Sequence, residues 1–167
     1  FARKLRHEDR LVRQAAIELL GALGVPEGNV IASLQQVIST DEPCLAIEAT
    51  VAILKLKPDE GDNLMPFLVE TLNEDDPMIK RLVLDCVDPL GERGKELLPH
   101  IVKLLDETNV EDDAALAILK ITGDDSHARR IAEKWRLEEE PDEPKVRDLA
   151  ARELEDEIER ILSKRES

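Results

Sequence analysis

A short pattern of polar and apolar positions returns five times along the chain. Each copy has an acidic residue, often followed by proline, then an apolar residue three positions after the acid and a small or apolar residue four positions further on. The apolar anchors are Val12, Leu45, Ile79, Val110 and Val146. Their spacings of 33, 34, 31 and 36 residues are typical of stacked repeat units. The pattern therefore predicts a repeat array.

A second register agrees with the first. The stretch 64–72 (LMPFLVETL) matches 97–105 (LLPHIVKLL) with proline at the same place, and 52–59 (AILKLKPD) returns as 117–124 (AILKITGD). Each unit thus has two apolar periodic stretches separated by a turn, which predicts a helix-turn-helix unit. We expect a single array over 1–167, with repeats at approximately 1–24, 29–57, 62–91, 95–122 and 126–163.

Local signals refine the expected helices, which number ten with no strand. The acidic segment 138–144 falls at the turn of the fifth unit, so we expect no domain boundary there and a last helix over 145–163. The second helix of the third unit should be short or kinked, because Pro89 interrupts it. Small residues four positions after three anchors should be buried where paired helices approach closely; these are Ala16, Ala49 and Ala150.

Composition narrows the classes of structure and partner. Aromatic residues are 2% of the chain, so the core must be aliphatic, which disfavours a β-sandwich or barrel. The two cysteines, Cys44 and Cys86, have no metal-ligand spacing and do not indicate a secreted disulfide scaffold. The sequence leaves the location open and favours the cytoplasm. No apolar run is long enough to span a membrane. The net charge of −15 disfavours nucleic acid and anionic membranes and favours a basic protein surface as the partner.

The order of acid, proline, apolar residue, arginine and alanine, closed in the first unit by the segment 20–24 (LGALG), resembles the HEAT repeat family. The likeness is closest to the short bacterial and archaeal repeats also found in phycobilin lyase subunits, and it covers essentially the whole chain. The first repeat matches best, and the fourth, with Glu111 and Asp112, matches worst. The resemblance implies a right-handed α-solenoid that serves as a binding scaffold, with the second helices lining a concave face.

The repeat acids have two interpretations. They could form a ladder of carboxylates for cations, or each could lie at the start of a second helix, where a negative charge meets unpaired N–H groups. We favour the structural interpretation, with Arg13, Lys80 and Arg147 able to pair with acids across repeats. The acids are Asp9, Glu42, Asp76, Glu107 and Glu143.

The sequence indicates no catalytic residues, cofactor or metal. The pair His7-Glu8 resembles the His-Glu pairs with which deoxyhypusine hydroxylase, a HEAT-like enzyme, binds two irons, but that family needs several such pairs and the only other histidines here are His100 and His127. No aromatic or cysteine cluster suits a tetrapyrrole, and no nucleophile elbow, phosphate loop or HExxH pattern occurs. We therefore expect a protein that is not an enzyme.

The repeat register also predicts a partner-binding face. Positions two and six residues after each anchor should face away from the buried stripe. They are mostly charged, but in the second unit they are both apolar, Ile47 and Val51. An apolar spot on a polar face is typical of a contact site. Alternatively, neighbouring repeats or the kink at Pro89 cover it. The predicted contact residues are Ile47, Val51, Lys55, Arg81, Asp85 and Leu116.

The leading hypothesis is a non-catalytic scaffold that binds a protein or peptide, basic in character, on the concave face. One rival is an accessory subunit or domain of a lyase-like or metal-dependent hydroxylase-like enzyme. Another is a structural segment of a longer array, which exposed apolar ridges at the N-terminal end would indicate. The sequence does not specify the oligomeric state.

Overall fold

The computed structural model describes residues 2–24, 28–40, 42–137 and 144–165, and no strand occurs among them. Short 3-10 helices cover Ala2–Arg6, Pro58–Glu60 and Gly91–Leu97. The α-helices are α1 (Arg10–Leu23), α2 (Gly28–Thr40), α3 (Pro43–Leu56), α4 (Gly61–Leu72), α5 (Pro77–Asp85), α6 (Val87–Leu90), α7 (Leu98–Leu104), α8 (Glu111–Thr122), α9 (Ser126–Leu137) and α10 (Pro144–Arg165). Nine of the ten predicted segments contain at least one of these α-helices, and the first contains the 3-10 helix Ala2–Arg6, so the all-α prediction is confirmed for the described residues.

Capping residues set the boundaries of several helices. The Asp9 carboxylate accepts a hydrogen bond of 2.9 Å from the Leu11 N–H and thereby caps α1. Asp76 caps α5 in the same way, with 2.8 Å to the Met78 N–H. At the other ends, Gly24 after α1 and Gly123 after α8 have φ of 67° and 82°, a left-handed conformation that glycine adopts without steric cost. These signals are local, which explains why the sequence pattern locates the helices well.

Pro89 shortens the second helix of the third unit, as predicted. Helix α5 ends at Asp85, and the four-residue α6 follows after Cys86. A continuous helix would place Pro89 four residues after Asp85, where proline has no N–H to donate to the Asp85 carbonyl and its ring would collide with that carbonyl. The interruption therefore follows from the chemistry of one residue.

The chain forms two compact units, residues 1–93 and 94–167. In the first unit, α3 lies at the centre and packs against α1, α2, α4, α5 and α6. In the second unit, α8 packs against α7 and α9, and α10 packs against α9 and α8. The core of the second unit is a cluster that includes Ala115, Leu119, Ala128, Ile131, Leu154 and Ile158. The single solenoid of five repeats stays a prediction, and the segment 138–143, expected to be a turn, lies outside the described residues.

The predicted alanine contacts are confirmed in two units and wrong in the fifth. Ala16 and Ala49 are buried, but in α10 the buried residue is Ala151, and Ala150 is only half-buried. The apolar stripe of α10 runs through Ala151, Leu154, Ile158 and Ile161, and Leu149 is 56% exposed. The buried residues of α10 therefore lie one position later than the anchor Val146 predicts. They are the residues on the face of α10 that packs against α8 and α9.

Candidate interaction site

The repeat acid Glu42 lies at the start of α3 and pairs with basic residues of the first repeat. It makes no capping bond; its Oε1 lies 2.9 Å from Nε of Arg10 and 3.7 Å from Nη2 of Arg13. Arg13 also donates to the carbonyls of His7 and Glu8 at 3.0 and 3.1 Å. The predicted pairing of Arg13 with an acid of the next repeat is therefore confirmed, and this acid has a structural role.

The fourth repeat departs from the expected arrangement. Glu107 does not cap α8; that helix begins at Glu111 after Val110, and the Glu107 N–H bonds the Leu104 carbonyl in the turn after α7. The residue after the anchor is charged and largely buried in two repeats, as Lys80 in α5 and Glu111 in α8. Glu111 pairs with Lys134 of α9, at 3.1 and 3.2 Å from Nζ to the two carboxylate oxygens. Glu111 thus pairs with a residue of the next helix, and the sequence pattern missed this contact.

Two further repeat residues cannot be placed in this scheme. Glu143 lies outside the described residues, and so does the side chain of Arg147, although its backbone belongs to α10.

The prediction that Ile47 faces outward is wrong. Its side chain is 1% exposed, because α3 is the central helix of the first unit and neighbours surround it on most sides. Val51 is half-buried and Lys55 is exposed on the same helix, and Arg81 and Asp85 are exposed on α5. Leu116 belongs to the second unit, where it packs against the core cluster. Of the apolar pair predicted in the second unit, Ile47 and Val51, only Val51 reaches the surface.

Val51 and Lys55 line a groove between α1 and α3, with a volume of about 140 Å³. The two helices approach closely because α1 has a glycine here: a Cβ added at Gly21 would lie 3.2 Å from Cβ of Ala52. Apolar atoms and two acidic side chains form the remaining walls. The lining residues are Ile17, Glu18, Gly21, Glu48, Val51, Ala52 and Lys55.

Glu48 has an electrostatically unfavourable position in this groove. Its Oε1 accepts a 2.9 Å hydrogen bond from the Gln14 amide, and its buried Oε2 has no hydrogen-bond partner. Burial raises the pKa of Glu48, and the negative charges of Glu18 and Glu42 raise it further, although Arg10 opposes them. A cation that entered the groove would relieve this repulsion.

The α5 residue Asp85 belongs to the same neighbourhood as Lys55. Burial, with the Asp85 charge, raises the pKa of the Cys86 thiol to about 12, and Lys55 opposes the shift. Cys86 is therefore an unreactive core thiol. In the groove the structure brings together Val51 and Lys55 of the predicted face, and it adds Glu18 and Glu48. The one sequence signal for Glu48 is its place next to the predicted apolar pair, one turn before Val51 and Ala52.

The described residues include no group of three or more histidine, cysteine or acidic side chains that could hold a metal ion. His7, His100 and His127 lie on separate elements, before α1, in α7 and in α9. Among the helices that the structure describes, none combines the length and apolar character needed to cross a membrane.

Comparisons of the chain with protein-family models, with curated proteins and with solved structures find no match.

Proposed function

We propose that this chain is a non-catalytic interaction module of HEAT-like repeats that binds a basic protein or peptide, with the groove between α1 and α3 as the central contact. The observation that carries the proposal is the Glu48 carboxylate. It lies in an apolar-walled groove, has one oxygen without a hydrogen-bond partner and stands near the like charge of Glu18. The repeat register and the buried Ala16 and Ala49 support the HEAT-like repeats.

The groove suits a lysine or arginine side chain. Ile17, Val51 and Ala52 can contact the methylene stem, and the exposed Glu18 can bind the cationic head while the charge of Glu48 attracts it from the groove wall. Lys55 at the rim would repel a second cation and attract an acidic residue of the partner, which would orient the bound segment. The volume of about 140 Å³ fits one such side chain and not a folded domain, so the remaining contacts lie around the groove.

The test uses a lysine-rich peptide of about ten residues and a glutamate-rich peptide of equal length, each titrated calorimetrically into the full chain at low salt. We expect saturable binding of the basic peptide alone. Glu48→Gln removes one charge inside the groove and should weaken that binding about tenfold. Glu153→Gln removes the same charge from the exposed surface of α10 and is the matched control, which should bind within about twofold of the wild type.

If Glu48→Gln and Glu153→Gln lost the same affinity, the peptide would be binding through the net charge of the protein and not in the groove. This result would contradict the proposal. Binding of both peptides, or of neither, would also contradict it. Circular dichroism of each variant establishes that the fold is intact.

A further inference from the structure

Helix α1 has an exposed apolar stripe that runs beside the side of the helix that forms the core. Leu11, Leu19 and Leu23 are 67%, 46% and 55% exposed, and the small residues Ala15 and Ala22 between them are exposed as well. The spacing of four, four, three and one residues places all five on one side of the helix. No charged residue belongs to this α1 stripe, which is unusual on a protein with a net charge of −15.

The repeat register explains what the α1 stripe resembles. At an offset of 33 residues, the stripe positions Leu11, Ala15, Leu19 and Leu23 correspond to Cys44, Glu48, Ala52 and Leu56 of α3. Those α3 positions form the side that packs on α1: Glu48 bonds Gln14, and Ala52 meets Gly21. In α3 these residues are buried or half-buried. The α1 stripe is thus the same packing face without its covering helix.

We propose that the α1 stripe docks an amphipathic helix, parallel to α1, in the way that α3 docks on α1. The face of α1 that receives α3 specifies the chemistry of this partner. It carries a branched apolar residue and a glycine at positions i and i+4, as Ile17 and Gly21. Its amide, Gln14, pairs with Glu48, but the α1 stripe has Ala15 at the Glu48 position, so the partner needs no polar residue there. The glycine allows close approach, so the partner helix needs a glycine or alanine there. This helix-docking surface does not depend on the groove between α1 and α3 being a binding site.

A second copy of the chain is a poor occupant by the same reasoning. The receiving face of its own α1 is already covered by α3, so that helix could offer its stripe alone, with leucine against leucine and no glycine. The partner is therefore a helix whose receiving face is open.

The test uses a fluorescent 16-residue peptide with the sequence of residues 9–24, which carries the receiving face. A helix of this length is marginal in water, so a hydrocarbon staple joins positions 15 and 19. The staple leaves Gln14, Ile17 and Gly21 free on the receiving face. Leu11→Gln and Leu23→Gln in the peptide remove the remaining leucines of its own stripe, and the Gly21→Glu peptide tests whether the receiving face is what binds. We expect saturable fluorescence anisotropy with the full-length chain, weakened at least tenfold by Leu19→Glu in the chain.

Matched controls separate the α1 stripe from general hydrophobic contact. Leu137→Glu places the same charge at a leucine that is 78% exposed on α9, and it should leave binding within about twofold. A peptide with Gly21→Glu should not bind. Leu23→Glu in the chain, at a stripe leucine that is 55% exposed, is a second stripe variant, used if Leu19→Glu lowers the helical circular dichroism signal.

Three results would overturn the proposal. The first is an absence of saturable binding up to about 1 mM chain, the weak end of specific association. The second is equal binding by the two stripe variants and the wild type, or a loss only on Val51→Ser, which would place the peptide in the groove. The third is a dimer in analytical ultracentrifugation that Leu19→Glu dissociates while the peptide fails to bind, because the occupant would then be a second copy.

Discussion

At the residue scale, the carboxylate of Glu48 should affect stability and binding in opposite directions. Its pKa in the folded protein lies above the ordinary 4.5, mainly because of burial and then because of Glu18. The folded state therefore holds this proton more tightly than the unfolded state. The favourable contribution is present below pH 4.5 and is lost as pH rises through the raised folded pKa.

We therefore predict that Glu48→Gln stabilises the protein at pH 7 by a few tenths of a kcal/mol, with little effect at pH 4, where Glu48 is largely protonated in both states. Glutamine can still accept the hydrogen bond from Gln14. Urea unfolding at both pH values measures the difference. Destabilisation at pH 7 would show that the charged form makes a favourable contact in the fold.

Ile47 and Val51 are both apolar and one helical turn apart, yet they should respond differently to truncation. Ile47→Ala should lower the free energy of unfolding by about 2–4 kcal/mol, because the side chain is buried in the core of the first unit. Val51→Ala should cost less than about 1.5 kcal/mol, since its side chain borders the groove. Chemical denaturation of the two variants provides the comparison, and similar costs would indicate that Val51 belongs to the core.

At the scale of single helices, aspartate caps should contribute measurably to stability. Asp76→Ala removes the acceptor for the Met78 N–H at the start of α5 and should cost about 1 kcal/mol. Asp75→Ala, one residue earlier and outside the helix, removes the same charge and should have an effect within about 0.5 kcal/mol. Thermal unfolding of the pair separates the cap from the charge. Equal shifts in Tm would mean that the general reduction in negative charge decides the effect.

The register of α10 has an equally local test. Ala151→Glu should cost several kcal/mol, because it forces a carboxylate into the contact of α10 with α8 and α9. Ala150→Glu, on the half-buried side of the stripe, should be tolerated within about 1 kcal/mol. Circular dichroism melts of both variants distinguish the two registers. If Ala150→Glu were the more damaging change, the register given by Val146 would be correct.

The same helices show which features of the fold can be predicted from the sequence and which cannot. Asp9, Asp76, Pro89, Gly24 and Gly123 act on their own turn of helix, so their effects could be predicted from neighbouring residues. The burial of Ile47 depends on how many helices surround α3, and the pair Glu111–Lys134 joins residues 23 positions apart. Of the candidate site, Val51 and Lys55 were predicted. Glu48 was not, because its importance depends on the approach of Gly21 to Ala52.

At the scale of the whole molecule, the excess of negative charge acts on both the fold and its partners. The chain has 38 acidic and 23 basic residues, and several of the basic ones are held in ion pairs, such as Arg129 with Asp125 and Glu159. Unbalanced carboxylates repel one another in the compact state, and they attract a basic partner from a distance. Salt screens both the self-repulsion and the attraction of a partner, so it should stabilise the fold and weaken binding.

We therefore predict that raising sodium chloride from about 20 mM to about 500 mM increases the stability of the free protein while it weakens binding of the lysine-rich peptide. Self-repulsion among like charges should outweigh the loss of surface ion pairs, since an exposed pair contributes about 1 kcal/mol or less. Urea unfolding and peptide titration at several salt concentrations give the two trends. Potassium chloride is the control, because simple screening does not distinguish the two cations. If stability fell with salt, the cross-helix ion pairs would have to outweigh the net charge, and changing Arg129 to glutamine should then remove part of the salt dependence.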